Sequence, residues 1–577
     1  MTQQLSLIEA HESRLNQIFS DDYEFEIPSY QRPYAWEEQQ AQELLTDFIE
    51  AMDNGDDVYF LGSIVLIKEP HKPLSRVVDG QQRLTTLTII LSILRDLTTD
   101  QEVRGTRRVY VYQKANPDSG AAERFRLLLR QRDRAFFQKY IQNPDATNSL
   151  PDPDLLEGSQ QNIARNAIHL RSELSKLDED RRNKLIAYLI QRCYLVVVAV
   201  PTPEAARRIF TVLNARGLDL TATDILKANL LERAGSNEKD LAERWETAEL
   251  ALGRDRMVEL FGHIRTMFER DKPRIALEVG FPKFVQTFNE NAERFVSDTL
   301  EPIADAMLLV GESPGVKKQF GDEAAKAVRS LERIDNKDWM PPVLLRLWKR
   351  KKDDQTSVAA FLVEIERLAY YLFVTRADIN TRIARYSGVM DEFDPRSGKE
   401  KPKAGIALTA AEQQEFLDAL SGPLYQKARV CKPVLQRLDE ALSSGGASYD
   451  ELVSIEHVLP QTVSDSSEWA TLFPEEAQRA EWTHRLANLV FLTRRINTRA
   501  SNWDFGRKKK EYFVSKDGAS PFPLTQGVLQ AGSWTPEHLV QRQATLIGRL
   551  ASVWSLAQLP TDGSTQQAKE GKLTTTA

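Results

Sequence analysis

Two short segments towards the C-terminal end hold residue types that could hydrolyse a phosphodiester. In SIEHVLPQ (454–461) an acid and a histidine, Glu456 and His457, stand side by side at the end of a strand pattern. In HRLANLVFLTRRINTRASNWDF (484–505) Asn488 follows a turn, LVFL (489–492) has strand character, and Asn497 opens a helix pattern. This is the order expected of a strand, strand, helix finger built around one divalent cation. Such a finger needs a hard oxygen ligand, a neutral imidazole to deprotonate water, and an amide oxygen that either ligates the cation or orients the imidazole. Mg²⁺ keeps several of its waters, so one carboxylate and one amide are enough. Residues 482–513 also carry eight Lys/Arg against two acids, a surface suited to phosphate contacts. His484, four residues before Asn488, is a further candidate member. A structural histidine with asparagines in turns is the plainer alternative.

A second constellation lies near the N-terminus, in IPSYQRPYAW (27–36), FLGSIVL (60–66) and VVDGQQRLTTL (77–87). The strand, Asp-Gly turn and helix onset of the last segment place Gly80, Gln81 and Gln82 at a helix N-terminus. Unpaired amides and the helix dipole there attract an anion, most naturally phosphate. Gly80 permits close backbone approach, Arg83 can clamp an anion bidentately, and Asp79 can hold Mg²⁺ or a ribose hydroxyl. Arg32, beside Tyr30, Tyr34 and Trp36, offers a second cation among rings able to stack on a base. The alternative is a capped helix with an aromatic plug, since the segment lacks the lysine of a Walker A loop.

The elements that must position these residues alternate early and turn helical later. Residues 1–20 read as a helix from Leu5, Ile8, Leu15 and Ile18. A short strand over 23–27 ends at Pro28. A helix is expected over 37–52, strands over 58–68 and 76–79, and a helix from Gln81 with Leu84, Leu87, Leu91 and Leu94 on one face. The stretch 104–139 carries ten Lys/Arg against three acids, most of them on a helix-like segment, 121–140. LVVVAV (195–200) is an apolar run of strand length, and 204–217 is a helix stopped by Gly217. From about 236 to 390 the pattern is nearly all helical, and 393–404 is a charged Pro/Gly linker. The expected divisions are 1–235, 236–405, 406–560 and a disordered tail, 561–577. The expected fold class is α+β, predominantly helical: an α/β N-terminal domain, a helical middle, and a ββα finger within a helical C-terminal domain.

The 577 residues suggest about three to four domains. A net charge of −7 excludes a uniformly basic nucleic-acid coat, so DNA contacts must come from local patches. Cys193 and Cys431 are too few for a disulfide framework or a four-thiolate zinc site. No apolar run approaches ~18 residues and the N-terminus lacks a secretory apolar core, so the expected compartment is the cytoplasm, with no membrane.

The C-terminal segments resemble the HNH (ββα-metal) nucleases, and most of all the C-terminal domain of GmrSD-type modification-dependent restriction proteins. EHVLPQ, the ANL turn, Asn497 and NWDF-x-x-KK carry this resemblance, over roughly residues 410–550. It implies His457 as general base, Glu456 as metal ligand, Asn488 as a brace of the loop and Asn497 as second ligand. Asn502 competes for that last place, and the cation would be Mg²⁺ or Mn²⁺. The three N-terminal segments, with FTVLNARGLDLTATDILKANLL (210–231), resemble the ParB-like N-terminal domain of the same proteins over roughly residues 10–235. That implies binding and hydrolysis of GTP or ATP in a pocket lined by Gln31, Arg32, Asp79, Gly80, Gln81, Gln82 and Arg83. Asn214, Arg216 and Asp224 would be outlying members, and Lys227 belongs to the same motif.

Together the resemblances imply a single-chain antiphage DNA endonuclease, similar to the SspE and BrxU type. Its NTPase domain would sense DNA modification (phosphorothioate or modified phage bases) and control a nicking HNH nuclease. The implied partners are modified double-stranded DNA, a homo-oligomer and other defence-operon proteins. The competing reading is an NTP-switched DNA-binding protein whose finger is structural.

Overall fold

Six runs rich in β-branched and aromatic residues pair into one mixed sheet in the computed structural model. It describes residues 9–115, 122–202, 205, 221–351, 354–395, 405–443, 453–493, 503–511, 514–515, 518–519 and 522–557. Over these residues the fold is α+β and predominantly helical. The chain divides into two compact units, residues 1–261 with 277–301, and residues 262–276 with 302–577.

The sheet belongs to the first unit. Its strands are β1 (Glu9–Arg14), β2 (Glu24–Glu26), β3 (Tyr59–Lys68), β4 (Leu74–Asp79), β5 (Leu127–Leu128) and β6 (Cys193–Val200), in the order β1-β6-β3-β4-β2-β5. Strands β3 and β6 run parallel, β1 flanks β6 and β4 flanks β3 antiparallel, and β4, β2 and β5 are parallel. An interior position, with alternate residues in two apolar clusters, accounts for the unbroken apolar run of β6. Helices α1 (Glu38–Asn54), α2 (Gln81–Asp96), α3 (Gly158–Lys176) and α4 (Glu179–Arg192) complete this core. Helix α2 is buried on nearly every side. Its threonines survive there because Thr85, Thr86 and Thr88 donate their hydroxyls to carbonyls one turn back, at 2.8, 2.9 and 2.8 Å. Two further helices, α5 (Ala222–Leu231) and α6 (Glu238–Leu252), carry buried charges discussed below.

The second unit is mostly helical and includes the antiparallel hairpin of β7 (Val453–His457) and β8 (Leu489–Thr493). Helices α7 (Ala428–Leu442), α8 (Phe505–Glu511), α9 (Pro523–Leu529) and α10 (Pro536–Val553) belong to this unit. Val458, Leu459, Val490, Phe505 and Trp534 share one apolar cluster between hairpin and helices.

Two expected elements are corrected. Residues 9–14 are not helical but form β1, an edge strand in which only Ser13 is buried. Its polarity reflects exposure on both faces, and the ladder to β6 overrides its local preference. Residues 121–140 are not one helix: Leu127–Leu128 is a strand, and the helix begins only at Gln131. The Phe25 amide bonds the Arg126 carbonyl at 2.9 Å, and the buried Arg126 guanidinium donates to the carbonyls of Ser20 and Val109. These bonds hold the segment extended.

Candidate active site

The hairpin register sets Glu456 opposite Val490 and His457 opposite Leu489, so acid and imidazole emerge at the end where Asn488 enters β8. Asn488 is fully buried with every polar position used. Its Oδ1 accepts the Leu459 amide at 2.6 Å and the Trp534 indole N–H at 3.1 Å. Its Nδ2 donates to the carbonyls of Leu459 at 2.9 Å and Thr483 at 3.0 Å. From α10, Gln543 accepts the Ala487 amide at 2.8 Å and Arg542 donates to the Ala487 carbonyl at 3.0 Å. The loop after His457 is thereby fixed.

His457 is 5% exposed. Gln461 Nε2 lies 3.2 Å from its Nδ1, while its Nε2 is buried with no hydrogen-bond partner among the described residues. Tyr425 packs edge-on against the imidazole with centroids 4.2 Å apart and stacks on His484 at 5.6 Å. The two imidazole centroids are 5.4 Å apart, and His484 Nδ1 is likewise buried and unpartnered among the described residues. Burial, and then the proximity of His484 and Lys508, push the His457 imidazole down to about 3. It is therefore neutral at physiological pH.

Lys508, on α8, donates to Glu456 Oε1 at 2.9 Å and to the His457 carbonyl at 2.7 Å. Burial raises the Glu456 carboxyl above its usual range while the Lys508 ammonium opposes the rise. Asn497 and Asn502 lie outside the described residues, and among the described residues no group of three or more His, Cys, Asp or Glu is arranged to hold a metal ion. One carboxylate beside an imidazole with an unpartnered nitrogen suits a hard cation that keeps most of its waters.

In the first unit, Gly80 caps α2 with φ +92°, and a Cβ there would lie 2.4 Å from Ile64 Cγ2. Gly62, at φ +93°, leaves room for the Arg83 guanidinium, 3.3 Å from where its Cβ would be. Arg83 donates to the Ser63 carbonyl at 3.1 Å. Burial raises the Asp79 carboxyl; the Gly80 amide, Arg83 and Arg32 act against it. Burial lowers Arg32, as does nearby Arg254, while Asp224 and Asp79 counter this. Asp224 caps α5 through the Thr221 amide at 2.9 Å and pairs with Arg254 at 2.9 Å. Lys227 is buried against Glu246 at 3.0 Å, which also pairs with Arg130 at 2.7 Å.

The structure thus brings Arg32, Asp79, Arg83 and Asp224 into one electrostatic cluster. Gln82 instead ties down the 33–36 loop, accepting the Ala35 amide at 2.8 Å and donating to the Pro33 carbonyl at 3.0 Å. Gln31 donates to the Val78 carbonyl at 2.9 Å, and Gln81 is buried in the first turn of α2. Tyr34 is no stacking platform: its ring is 5% exposed and its hydroxyl meets Thr86 and Asn166, both at 2.8 Å. A cleft of about 680 Å³ opens beside Tyr30, Gln31, Arg130 and Asp224. Asn214 and Arg216 lie outside the described residues.

Comparison with known families decides what these sites belong to. Residues 15–231 match the N-terminal domain of the GmrSD restriction endonucleases, and residues 410–549 match their C-terminal domain. The chain belongs to the GmrSD restriction endonuclease family. No curated protein gives a match. As a GmrSD-type restriction endonuclease it is a defence nuclease that acts on DNA. Among the described residues no helix is long and apolar enough to cross a membrane.

Within the GmrSD C-terminal domain, Lys508 and Tyr425 contact the Glu456–His457 pair. In the sequence Lys508 belongs to the NWDF-x-x-KK motif with no role assigned at the pair, and Tyr425 is not singled out. A signal for Lys508 existed: it follows the buried Phe505 by three residues and so shares its helix face. Tyr425 carried none, because only the tertiary fold joins it to His457.

Proposed function

We propose that the hairpin and α8 form a metal-dependent HNH centre that nicks DNA, controlled by an NTP-hydrolysing, ParB-like first unit that reads DNA modification. The observation that supports it most is the buried His457, whose Nε2 has no hydrogen-bond partner among the described residues while Asn488 holds the loop that follows it. His457 takes the proton of the attacking water. For that, Nδ1 must carry the ring hydrogen, which the Gln461 amide accepts when its oxygen faces the ring. Glu456, together with Asn497 or Asn502, holds the cation, and Asn488 keeps the loop in place. Mg²⁺ or Mn²⁺, when bound, neutralises charge on the phosphate and the departing oxygen. In the first unit Arg32 and Arg83 bind the phosphates of GTP or ATP at the start of α2, and Asp79 holds the accompanying Mg²⁺ or a ribose hydroxyl.

The test is plasmid nicking with Mg²⁺ or Mn²⁺ by the intact chain and by His457→Ala. Loss of nicking in the variant is expected; equal nicking by both rejects the nuclease centre and leaves a nucleotide-switched DNA binder. NTP turnover on matched DNA, with and without phosphorothioate or glucosylated bases, tests the control. Arg83→Ala should lower that turnover.

A further inference from the structure

The described residues bring one carboxylate, Glu456, to the end of the hairpin, and its nearest charge is an ammonium from the same chain. The Lys508 side chain is 1% exposed and that of Glu456 12%, so solvent screens their attraction little. The ammonium has two acceptors in fixed positions, Glu456 Oε1 and the His457 carbonyl, and helix α8 holds it there. Lys508 is the charged side chain paired with Glu456, at 2.9 Å. The pair is therefore electrically neutral as seen by an arriving dication. A site with one neutralised carboxylate, and no group of three or more acids, imidazoles or thiols able to hold a metal among the described residues, attracts a dication weakly. A DNA phosphate laid across it supplies the missing negative charge.

We propose that Lys508 is a positioning residue that fixes Glu456 through one oxygen and cancels its charge, so that the nuclease cation binds only together with DNA. This rests on the reading of Glu456 as a metal ligand. The coupling is reciprocal: DNA raises affinity for the cation by the same factor as the cation raises affinity for DNA. A nuclease dangerous to its host thus stays unloaded until a substrate phosphate arrives.

The experiment is Mn²⁺ binding by the full chain, read by electron paramagnetic resonance of free Mn²⁺, with circular dichroism to verify folding. Without DNA, Lys508→Met should bind Mn²⁺ at least about tenfold more tightly than wild type, and Lys508→Arg should behave as wild type. In a His457→Ala background, which keeps the DNA intact, a short duplex should tighten Mn²⁺ binding by a similar factor, and much less so when Lys508→Met is added. Equal Mn²⁺ affinity with and without DNA, with Lys508→Met unchanged and Glu456→Gln binding none, overturns the inference and leaves the metal assignment standing. Glu456→Gln that binds Mn²⁺ as wild type does removes the metal assignment and the inference together. Should Lys508→Met not fold, the comparison with and without DNA decides by itself.

Discussion

The carboxamide of Asn488 grips both ends of Leu459, taking its amide hydrogen at 2.6 Å and giving a hydrogen to its carbonyl at 2.9 Å. This pairing leaves no freedom for a substitute. Asn488→Asp keeps the shape but replaces two donated hydrogen bonds with contacts between oxygens in a fully buried position. It should destabilise the second unit by on the order of 3 kcal/mol and abolish nuclease activity, as urea unfolding and plasmid nicking would reveal.

His457 should behave in the opposite way. Its Nε2 makes no hydrogen bond among the described residues. Trimming it to Ala therefore forfeits ring packing against Tyr425 but relieves an unsatisfied nitrogen. His457→Ala should unfold within about 1–2 kcal/mol of wild type while nicking disappears. A large loss of stability would mark a core histidine instead.

Gly80→Ala meets both a left-handed backbone and the Ile64 methyl, 2.4 Å from the new Cβ. A cost of about 2–4 kcal/mol to the first unit is expected, measured as a fall in midpoint on thermal unfolding. Ile64→Ala combined with it should recover only the steric part.

Gln82 and Arg83 are neighbours with separable roles. The Gln82 amide is spent on residues 33–36, so Gln82→Ala should cost stability, about 1–2 kcal/mol. Arg83→Ala should lower NTP turnover more than stability. Unfolding curves and turnover measured on both variants check the split.

Acid should weaken the second unit through His263. Burial, with Lys337 nearby, pushes its imidazole down from 6.5 to about 4, and its Nε2 is buried without a partner among the described residues. The unfolded chain therefore takes up a proton first as pH falls. The stability is fully present above about 6.5 and is lost towards 4, at about 1.4 kcal/mol per pH unit for each such group. His457 acts in the same sense. Unfolding at stepped pH should show the slope, and His263→Leu should reduce it.

The sequence patterns that reported the fold correctly were those where local preference and burial agree. LVVVAV became the interior strand β6, LVFL became β8, and the Asp-Gly turn before Gln81 became the start of α2. EAHESR misled because an exposed edge strand has no apolar alternation to read. In the candidate sites, residue identity pointed to Glu456, His457, Asp79 and Arg83, but not to what their neighbours do. The basic run Lys508–Lys510 reads as part of a phosphate-contacting surface, yet Lys508 is buried against Glu456 while Lys510 is exposed. Gln82 is implied by the resemblance to line a nucleotide pocket, yet its side chain is used by a loop 46–49 residues away in sequence.

The place of β6 between β1 and β3 also constrains how the protein comes into being. Glu9 finds its partner only at Ala199, and Tyr59 only at Cys193. At about 5–20 residues per second on the ribosome, the nascent β1 and β3 wait on the order of ten seconds with open hydrogen-bonding edges. Ribosome-associated chaperones have that interval in which to act. A message truncated before codon 193 yields a polypeptide that cannot close its sheet, and such fragments are destined for aggregation or proteolysis.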